Sequence, residues 1–275
     1  MHDLVMQRTQ LVEAIGREKR SEGLPPLHPG REALILRRLA ARHHGSFSPS
    51  ALVRMWREML AVTVGLQGRF AIAVYAPDGV GGFWDLARDH FGSHTPMTPY
   101  RSAGQVIRAV TDHQASVGVL PTPQEDDADP WWRFLVSGDA AAPRVIARLP
   151  FAGRGNARAG DALAVGGGRL EATGEDRSLL AVETRGNVSR TRLSSAMAQA
   201  GFQCTFFAAF EPGTDTVLNL VELAEFVTPD DCRLGEFSEQ LGAGCVERIV
   251  SLGHYAVPLT LAVSSGAAAA ARLAR

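Results

Sequence analysis

The opening part of the chain has the hydrophobic spacing of helices and no strand pattern. Apolar residues within 1–20 recur at mixed three- and four-residue steps, the period of an amphipathic helix. The proline- and glycine-rich stretch SEGLPPLHPG ends this helix, and residues 31–44 resume as a second one. Ser48 suits an N-cap and Pro49 the first helical position, which predicts a third helix from about residue 49 to 68. The pattern therefore predicts three helices before any sheet begins.

The pattern changes at Phe70, where short apolar runs begin to alternate with amphipathic segments. Buried strands are predicted at FAIAVYAP, ASVGVLPTP and PRVIARLPF, and two helices, FWDLARDHFG and SAGQVIRAVTDH, separate the first two strands. This alternation predicts a parallel or mixed α/β sheet. Residues 151–176 are rich in Gly and Ala, and we expect them to contain a linker.

The last segment alternates again, in the order strand, helix, two hairpin-like strands, helix, strand. This βαββαβ order is typical of the ferredoxin-like arrangement. The Ala-rich end is predicted to be frayed helix or disorder. The chain is thus expected to divide into a helical part at 1–68, an α/β part at 69–176, a βαββαβ part at 177–263 and a tail at 264–275.

Composition excludes several classes of partner. The 275 residues carry a formal net charge of -1, which gives no long-range field for nucleic acid or an acidic membrane. No apolar run approaches the roughly 18 residues of a membrane span. The three cysteines lack metal-ligand spacing and suit a reducing cytoplasm, so we predict a cytoplasmic protein without metal or cofactor.

The candidate functional residues are polar side chains placed where a helical bundle would bury them. They are Arg8, Lys19, Arg31, Glu32, Thr63 and Gln67. Arg8 and Lys19 lie about three turns apart and share one face of the first helix. Thr63 and Gln67 share a face of the third helix. Together these groups would suit a small dianion that carries a hydroxyl. Taken singly, each position has a simpler explanation as a solvated charge, a first-turn residue favoured by the helix dipole or a residue on a wet face.

The segment from Met6 to Leu60 resembles the all-helical chorismate mutases over nearly its whole length. The resemblance is carried by residues in the register of that family. These are Arg8, Gly16 and Lys19 in the first helix, Arg31 and Glu32 in PPLHPGRE, and Thr63 and Gln67 in the third helix.

This resemblance implies a three-helix, intertwined homodimer that isomerises chorismate to prephenate in phenylalanine and tyrosine biosynthesis. The reaction is one pericyclic step, so it depends on orientation and on stabilising the ether oxygen as it gains negative charge. By resemblance, Lys19 and Gln67 contact that oxygen and Glu32 holds the ring hydroxyl. Neither cofactor nor metal is required.

Further roles are implied for the remaining residues of the set. Arg8 would clamp a substrate carboxylate with help from Thr63, and Arg31 would support the cluster. His28 stands where the family has an Asp that helps to hold the ring hydroxyl. The family's first helix begins earlier, with an arginine that reaches the partner's pocket, whereas this sequence starts at Met1. Either the start is misassigned or trimmed, or the enzyme lacks one carboxylate clamp.

The remainder of the sequence resembles prephenate dehydratase followed by a regulatory ACT domain. YAPDGVGGFWDLARDHFG is similar to the dehydratase opening, and this resemblance implies a small, truncated periplasmic-binding-like region. The family's Pro-x-Glu-Asn-Ser reads PTPQEDD here, and its Thr-Arg-Phe is at best Asp176-Arg177-Ser178. RIVSLGHYAVP resembles the ending of the dehydratase-type ACT domain. We therefore expect that the second half no longer catalyses the dehydration of prephenate.

Two alternatives remain open. One is a bifunctional chorismate mutase and prephenate dehydratase, which an intact Thr-Arg-Phe would favour. The other is a catalytically inactive regulator that binds a ligand through the ACT-like part. The complete set of Arg8, Lys19, Glu32 and Gln67 favours the mutase, because buried charges are costly unless they are paired with a ligand or with each other.

Overall fold

The computed structural model describes residues 1–77, 81–136, 142–153, 155, 157–168, 171–185, 188–211, 213 and 215–261 of the chain. The predicted tail at 264–275 lies outside the described residues. The first half contains α1 (His2–Ser21), α2 (Pro29–Arg42), α3 (Pro49–Gln67), β1 (Ile72–Tyr75), α4 (Phe83–Phe91), β2 (Met97–Tyr100), α5 (Ala103–Thr111), β3 (Val117–Pro121) and a short 3₁₀ turn (Trp131–Leu135). The second half contains β4 (Arg144–Leu149), β5 (Ala162–Gly166), β6 (Asp176–Arg185), α6 (Arg190–Gln199), β7 (Cys204–Phe210), β8 (Thr216–Leu223), α7 (Cys232–Leu241) and β9 (Val246–Ala256).

The three predicted N-terminal helices are present, and α1 lies close against α3. Gly16 permits this approach, because a Cβ at this position would lie 3.0 Å from the Cα of Gln67. Arg20 closes the same contact by donating from Nη1 to the main-chain carbonyl of Gln67 at 2.7 Å. None of the helices in the described ranges is long and apolar enough to cross a bilayer.

The strands form one mixed sheet in the order β2-β1-β3-β5-β4-β9-β6-β8-β7. β1 runs parallel to β2 and β3, whereas β5 runs antiparallel to β3 and β4. β4 and β9 pair in parallel and so join the two halves of the sheet. A helical part followed by a mixed α/β sheet was predicted, and that prediction is confirmed.

Two strands of this sheet differ from the sequence expectations. The stretch 151–176, expected to contain a linker, holds Ala162–Gly166 in the middle of the sheet, where every residue is buried. Small residues are required there, since a Cβ at Gly166 would lie 2.9 Å from the carbonyl oxygen of Ser116. The unpredicted strand Met97–Tyr100 contains Pro99 and lies at the sheet edge, where a proline is tolerated.

The βαββαβ order predicted for the last segment is present. Its strands lie in the order β9-β6-β8-β7, and all three pairings between them are antiparallel. Helices α6 and α7 pack on one face of these strands through a shared apolar cluster that includes Leu193, Phe237 and Val221. The sheet continues across the predicted boundary at residues 176 and 177, so the domain limits remain predictions.

The helical part is fixed to the sheet through α2. From α2, Arg37 donates to the hydroxyl of Thr173 at 2.8 Å and to the carbonyls of Glu175 at 2.7 Å and Val257 at 2.9 Å. An apolar cluster that joins Leu36 to Phe151 and Ala256 lies beside these bonds. The loop before β6 therefore lies along α2, and in the first turn of α2 a Cβ at Gly30 would lie 3.2 Å from the side chain of Thr173.

The joint between β4 and β9 gives a stability prediction. Gly253 has φ 118°, and a Cβ there would overlap the main chain of Val145, so Gly253→Ala should lower the free energy of unfolding by at least about 3 kcal/mol. Urea unfolding measures this loss. Gly235→Ala is the control: it lies in α7 with nothing within 4 Å of its Cβ position and should gain about 0.5–1 kcal/mol. A Gly253→Ala protein as stable as the wild type would contradict the role of this joint.

Candidate functional site

The end of α1 and the start of α2 bring three of the predicted charged residues together. Lys19 reaches across the turn, and its Nζ donates to the carbonyl of Pro26 at 3.0 Å. Burial lowers the pKa of Lys19, Arg31 lowers it further, and Glu32 partly opposes both effects. Residues from two helices therefore share one electrostatic environment.

His28 belongs to the same group and is half-buried directly before α2. Burial lowers the pKa of His28, and Lys19 lowers it further, whereas Glu171 raises it. The carboxylate that raises the pKa of His28 is thus Glu171, from the loop that follows β5, rather than a residue of α2. The imidazole is favoured in its neutral form, so it can donate from one ring nitrogen and accept at the other.

Glu32, the predicted acid, is anchored by a residue that the sequence analysis missed. Arg57 donates from Nη1 to Oε2 of Glu32 at 2.9 Å, and the two side chains are 5% and 12% exposed. Burial raises the pKa of Glu32, and Arg57 and Lys19 oppose that rise. Burial lowers the pKa of Arg57 to about 10, against the opposing effect of Glu32. The carboxylate is therefore held in one orientation from the α3 side.

A sequence signal for Arg57 was available. It occupies the same helical face as Val53, Leu60 and Val64, all of which are buried. A single arginine inside an apolar stripe needs a partner, because a charge removed from water is costly when unpaired. Glu32 is that partner.

The predicted polar pair at the end of α3 is close-packed. The buried hydroxyl of Thr63 donates to the carbonyl of Leu60 at 2.7 Å. Nε2 of Gln67 donates to the carbonyl of Thr63 at 3.0 Å, and Oε1 of Gln67 is buried without a hydrogen-bond partner. Since an amide NH₂ has two N–H groups, Gln67 keeps one donor for a ligand.

Arg8 lies apart from this cluster within the single chain. Its guanidinium carbon lies 5.6 Å from the centroid of the Trp56 ring, and its Nε is buried without a partner. The rise of an α-helix places it about 16 Å from Lys19 along α1. The two cations therefore bracket a stretch of α1 that contains Gly16, opposite Gln67.

The three helices that carry these residues also match a known protein family. Residues 1–68 match the model of the family chorismate mutase type II. The predicted resemblance of the N-terminal part is thereby confirmed. We refer to residues 1–68 below as the mutase segment.

Two curated relatives extend the similarity beyond the mutase segment. The "Bifunctional chorismate mutase/prephenate dehydratase" of Pseudomonas aeruginosa is 26% identical over 125 residues, which cover 43% of this chain and 34% of that protein. The protein of the same name from Stutzerimonas stutzeri is 25% identical over the same length and with the same coverage. The chain thus spans about a third of the length of the curated relatives it matches.

A solved structure has a fold similar to that of the chain beyond the mutase segment. The prephenate dehydratase from Streptococcus mutans aligns with a TM-score of 0.50 and 17% identity, covering 69% of this chain and 98% of that one. At this identity the likeness concerns the fold alone. The mixed α/β sheet beyond the mutase segment therefore resembles that of a prephenate dehydratase.

Asp176 and Ser178, which the sequence resemblance proposes as counterparts of residues in the dehydratase Thr-Arg-Phe motif, have structural contacts. The carboxylate of Asp176 accepts from the main-chain N–H of Thr173 at 2.7 Å and of Gly174 at 3.1 Å. The buried hydroxyl of Ser178 accepts from the N–H of Val227 at 2.9 Å. Asp176 thus holds the turn before β6, and Ser178 holds the loop that follows β8.

The buried ion pair predicts an uneven response to two arginine substitutions in α3. Arg57→Met leaves Glu32 buried without its cation and should lower the free energy of unfolding by about 3–5 kcal/mol at neutral pH. Without Arg57 the pKa of Glu32 rises further, so the loss should shrink as the pH falls and Glu32 takes up a proton.

Urea unfolding at neutral and acidic pH checks this. Arg54→Met is the matched control, because Arg54 pairs with Asp89 at a position where its side chain is 45% exposed, and its loss should cost under about 1 kcal/mol. Equal losses for the two variants would contradict the buried pair.

Proposed function

We propose that the chain is a chorismate mutase, which rearranges chorismate to prephenate. The observation that carries this proposal is the cluster of Lys19, His28, Arg31 and Glu32 at the junction of α1 and α2. This cluster lies inside residues 1–68, which match chorismate mutase type II. The activity needs a pocket that orients a small dianion, and it needs no covalent intermediate.

Each side chain has a distinct task in this mechanism. Lys19 and the remaining N–H of Gln67 stabilise the ether oxygen as it gains negative charge, and the partly desolvated surroundings strengthen these interactions. Glu32, held by Arg57, accepts a hydrogen bond from the ring hydroxyl of the substrate. Arg8 binds a substrate carboxylate from the other end of the pocket. Because a lysine is cationic only below its pKa, the lowered pKa of Lys19 should move the alkaline loss of turnover to lower pH than an ordinary lysine gives.

A homodimer is part of the same proposal. Apolar side chains on α1 and α3 are exposed in the single chain and repeat with the same seven- and four-residue spacing on both helices. They are Leu4, Leu11 and Ile15 on α1, and Met55, Val62 and Leu66 on α3. Such a stripe on two packed helices fits a second copy laid along them.

For the remaining chain we propose a truncated dehydratase-like region at 69–176 and an ACT-like part at 177–263. The antiparallel βαββαβ arrangement supports the second assignment. A bifunctional protein is the second candidate function, favoured by the name of both curated relatives. The structural contacts of Asp176 and Ser178 argue for the mutase alone. A cytoplasmic location remains a prediction, and so does the alternative of an inactive regulator that binds a ligand through its ACT-like part.

The proposal predicts that Lys19→Ala strongly slows turnover while the protein stays folded. Losing one preorganised donor to the ether oxygen should cost about 3–4 kcal/mol, or roughly 10²–10³-fold in rate. The loss of chorismate absorbance, with prephenate and phenylpyruvate measured in the same reaction, checks this. Arg17→Ala, an exposed cation two positions earlier in α1, is the control and should turn over normally.

Three results would change the assignment. Phenylpyruvate formation by the wild type would establish the bifunctional alternative. Equal turnover by Lys19→Ala and the wild type would remove Lys19 from the mechanism. No chorismate loss in the wild type would contradict the mutase proposal.

A second prediction concerns assembly. Light scattering should give the wild type twice the 29.4 kDa chain mass, and Leu11→Lys with Val62→Lys should give a single chain, because both positions lie on the exposed stripe. Phe134→Lys, at an equally exposed apolar residue in the α/β part, should leave the dimer intact. A wild-type protein of single-chain mass would contradict the dimer.

A further inference from the structure

A separate cavity of about 240 Å³ lies between α3, α4 and the residues 150–153 and 155. Its polar lining residues are Ser50, Arg54, Arg57, Asp89 and His90. None of the seven candidate residues of the mutase pocket lines it. The volume is below the roughly 300–1,000 Å³ of drug-sized sites, so an occupant would be small.

Arg57 has bonding capacity that Glu32 does not use. Its side chain is 5% exposed and its Nη1 donates to Glu32, while its Nε is buried without a hydrogen-bond partner among the residues that the structure describes. The Nε and Nη2 groups form the planar edge that binds a carboxylate through two parallel hydrogen bonds. A buried donor left unmatched costs free energy, so this edge favours an acceptor.

The other groups around the cavity restrict the kind of acceptor. Arg54 is paired with Asp89, so that charge is neutralised at the rim. His90 is 7% exposed, and its pKa is lowered well below the usual value by burial and then by Arg57, which keeps the ring neutral. The carboxylates of Asp89 and Glu32 both lie close to the cavity's cations and would repel a doubly charged anion.

The other lining residues in the described part of the chain are apolar or glycine. Val53 and Leu86 are buried on α3 and α4, and the Phe151 ring centroid lies 5.0 Å from the guanidinium carbon of Arg57. These surfaces favour a hydrocarbon body next to the guanidinium. A planar, singly charged head on an apolar body satisfies both parts of the lining.

We propose that this cavity is a binding site for a small monocarboxylate with an apolar body, held by the Nε and Nη2 edge of Arg57 against Phe151, Val53 and Leu86. The site goes beyond the mutase reaction, and its occupation is measured without chorismate. Because the same guanidinium holds Glu32 through Nη1, a ligand on its Nε and Nη2 edge would share this side chain with the mutase pocket.

Calorimetric titration of the full chain with benzoate tests the proposal, with benzamide as the uncharged analogue of the same shape. Benzoate should bind with a Kd of about 1 mM or tighter, and benzamide at least about tenfold more weakly. Val53→Phe should abolish binding by filling the cavity while it leaves the ion pair intact.

Arg57→Lys should weaken benzoate binding at least about tenfold, because it keeps a cation opposite Glu32 but loses the planar edge. Arg37→Lys is the matched control: Arg37 is also a largely buried arginine with an unpartnered Nε, but it lies outside the cavity. It should bind benzoate as the wild type does. Thermal melts establish that each variant is folded.

Absence of benzoate binding to the wild type would overturn the proposal. So would benzamide binding as tightly as benzoate, or benzoate affinity that survives both Val53→Phe and Arg57→Lys.

Discussion

The buried ion pair between Arg57 and Glu32 is the interaction on which the helical part depends. Removing each ion from water costs several kcal/mol, so the middle of α3 and the first turn of α2 must remain at bonding distance. The pair also controls the chemistry next to it, since Glu32 acts on Lys19 at the end of α1. One arginine thus links the packing of three helices to the charge balance of the proposed substrate pocket.

The mutase segment is also part of a larger packed unit. Arg37 ties α2 to the loop before β6, and Glu171 of that loop acts electrostatically on His28. The sheet that resembles a dehydratase therefore positions the helices, whatever chemistry it has kept. Asp176 supports this tie, because its carboxylate accepts from the N–H of Thr173, and the hydroxyl of Thr173 accepts from Arg37 of α2.

Much of this arrangement follows from local patterns, and the exceptions have physical reasons. Helix period and the Ser48-Pro49 start predicted α3, and apolar runs predicted β1, β3 and β4. Strand β5 was missed because its small residues, required by close neighbours in the sheet, have the composition of a linker. Polar residues on shared helix faces indicated most of the candidate residues, and the family register added His28 and the role of each. Arg57 was missed because burial of a charge depends on a partner from another helix, which spacing along one helix does not reveal.

The central claim is that residues from separate helices share one coupled pocket, and Lys19 allows a direct test because it is the only lysine in the sequence. Reductive methylation with ¹³C-formaldehyde labels its amine and the chain terminus alone, so NMR titration reports the pKa of Lys19. The account predicts a pKa below that of the same group in the urea-unfolded chain, and a further decrease in Glu32→Gln, because Glu32 raises it in the folded protein. A pKa equal to the unfolded value and unchanged by Glu32→Gln would contradict the coupled pocket.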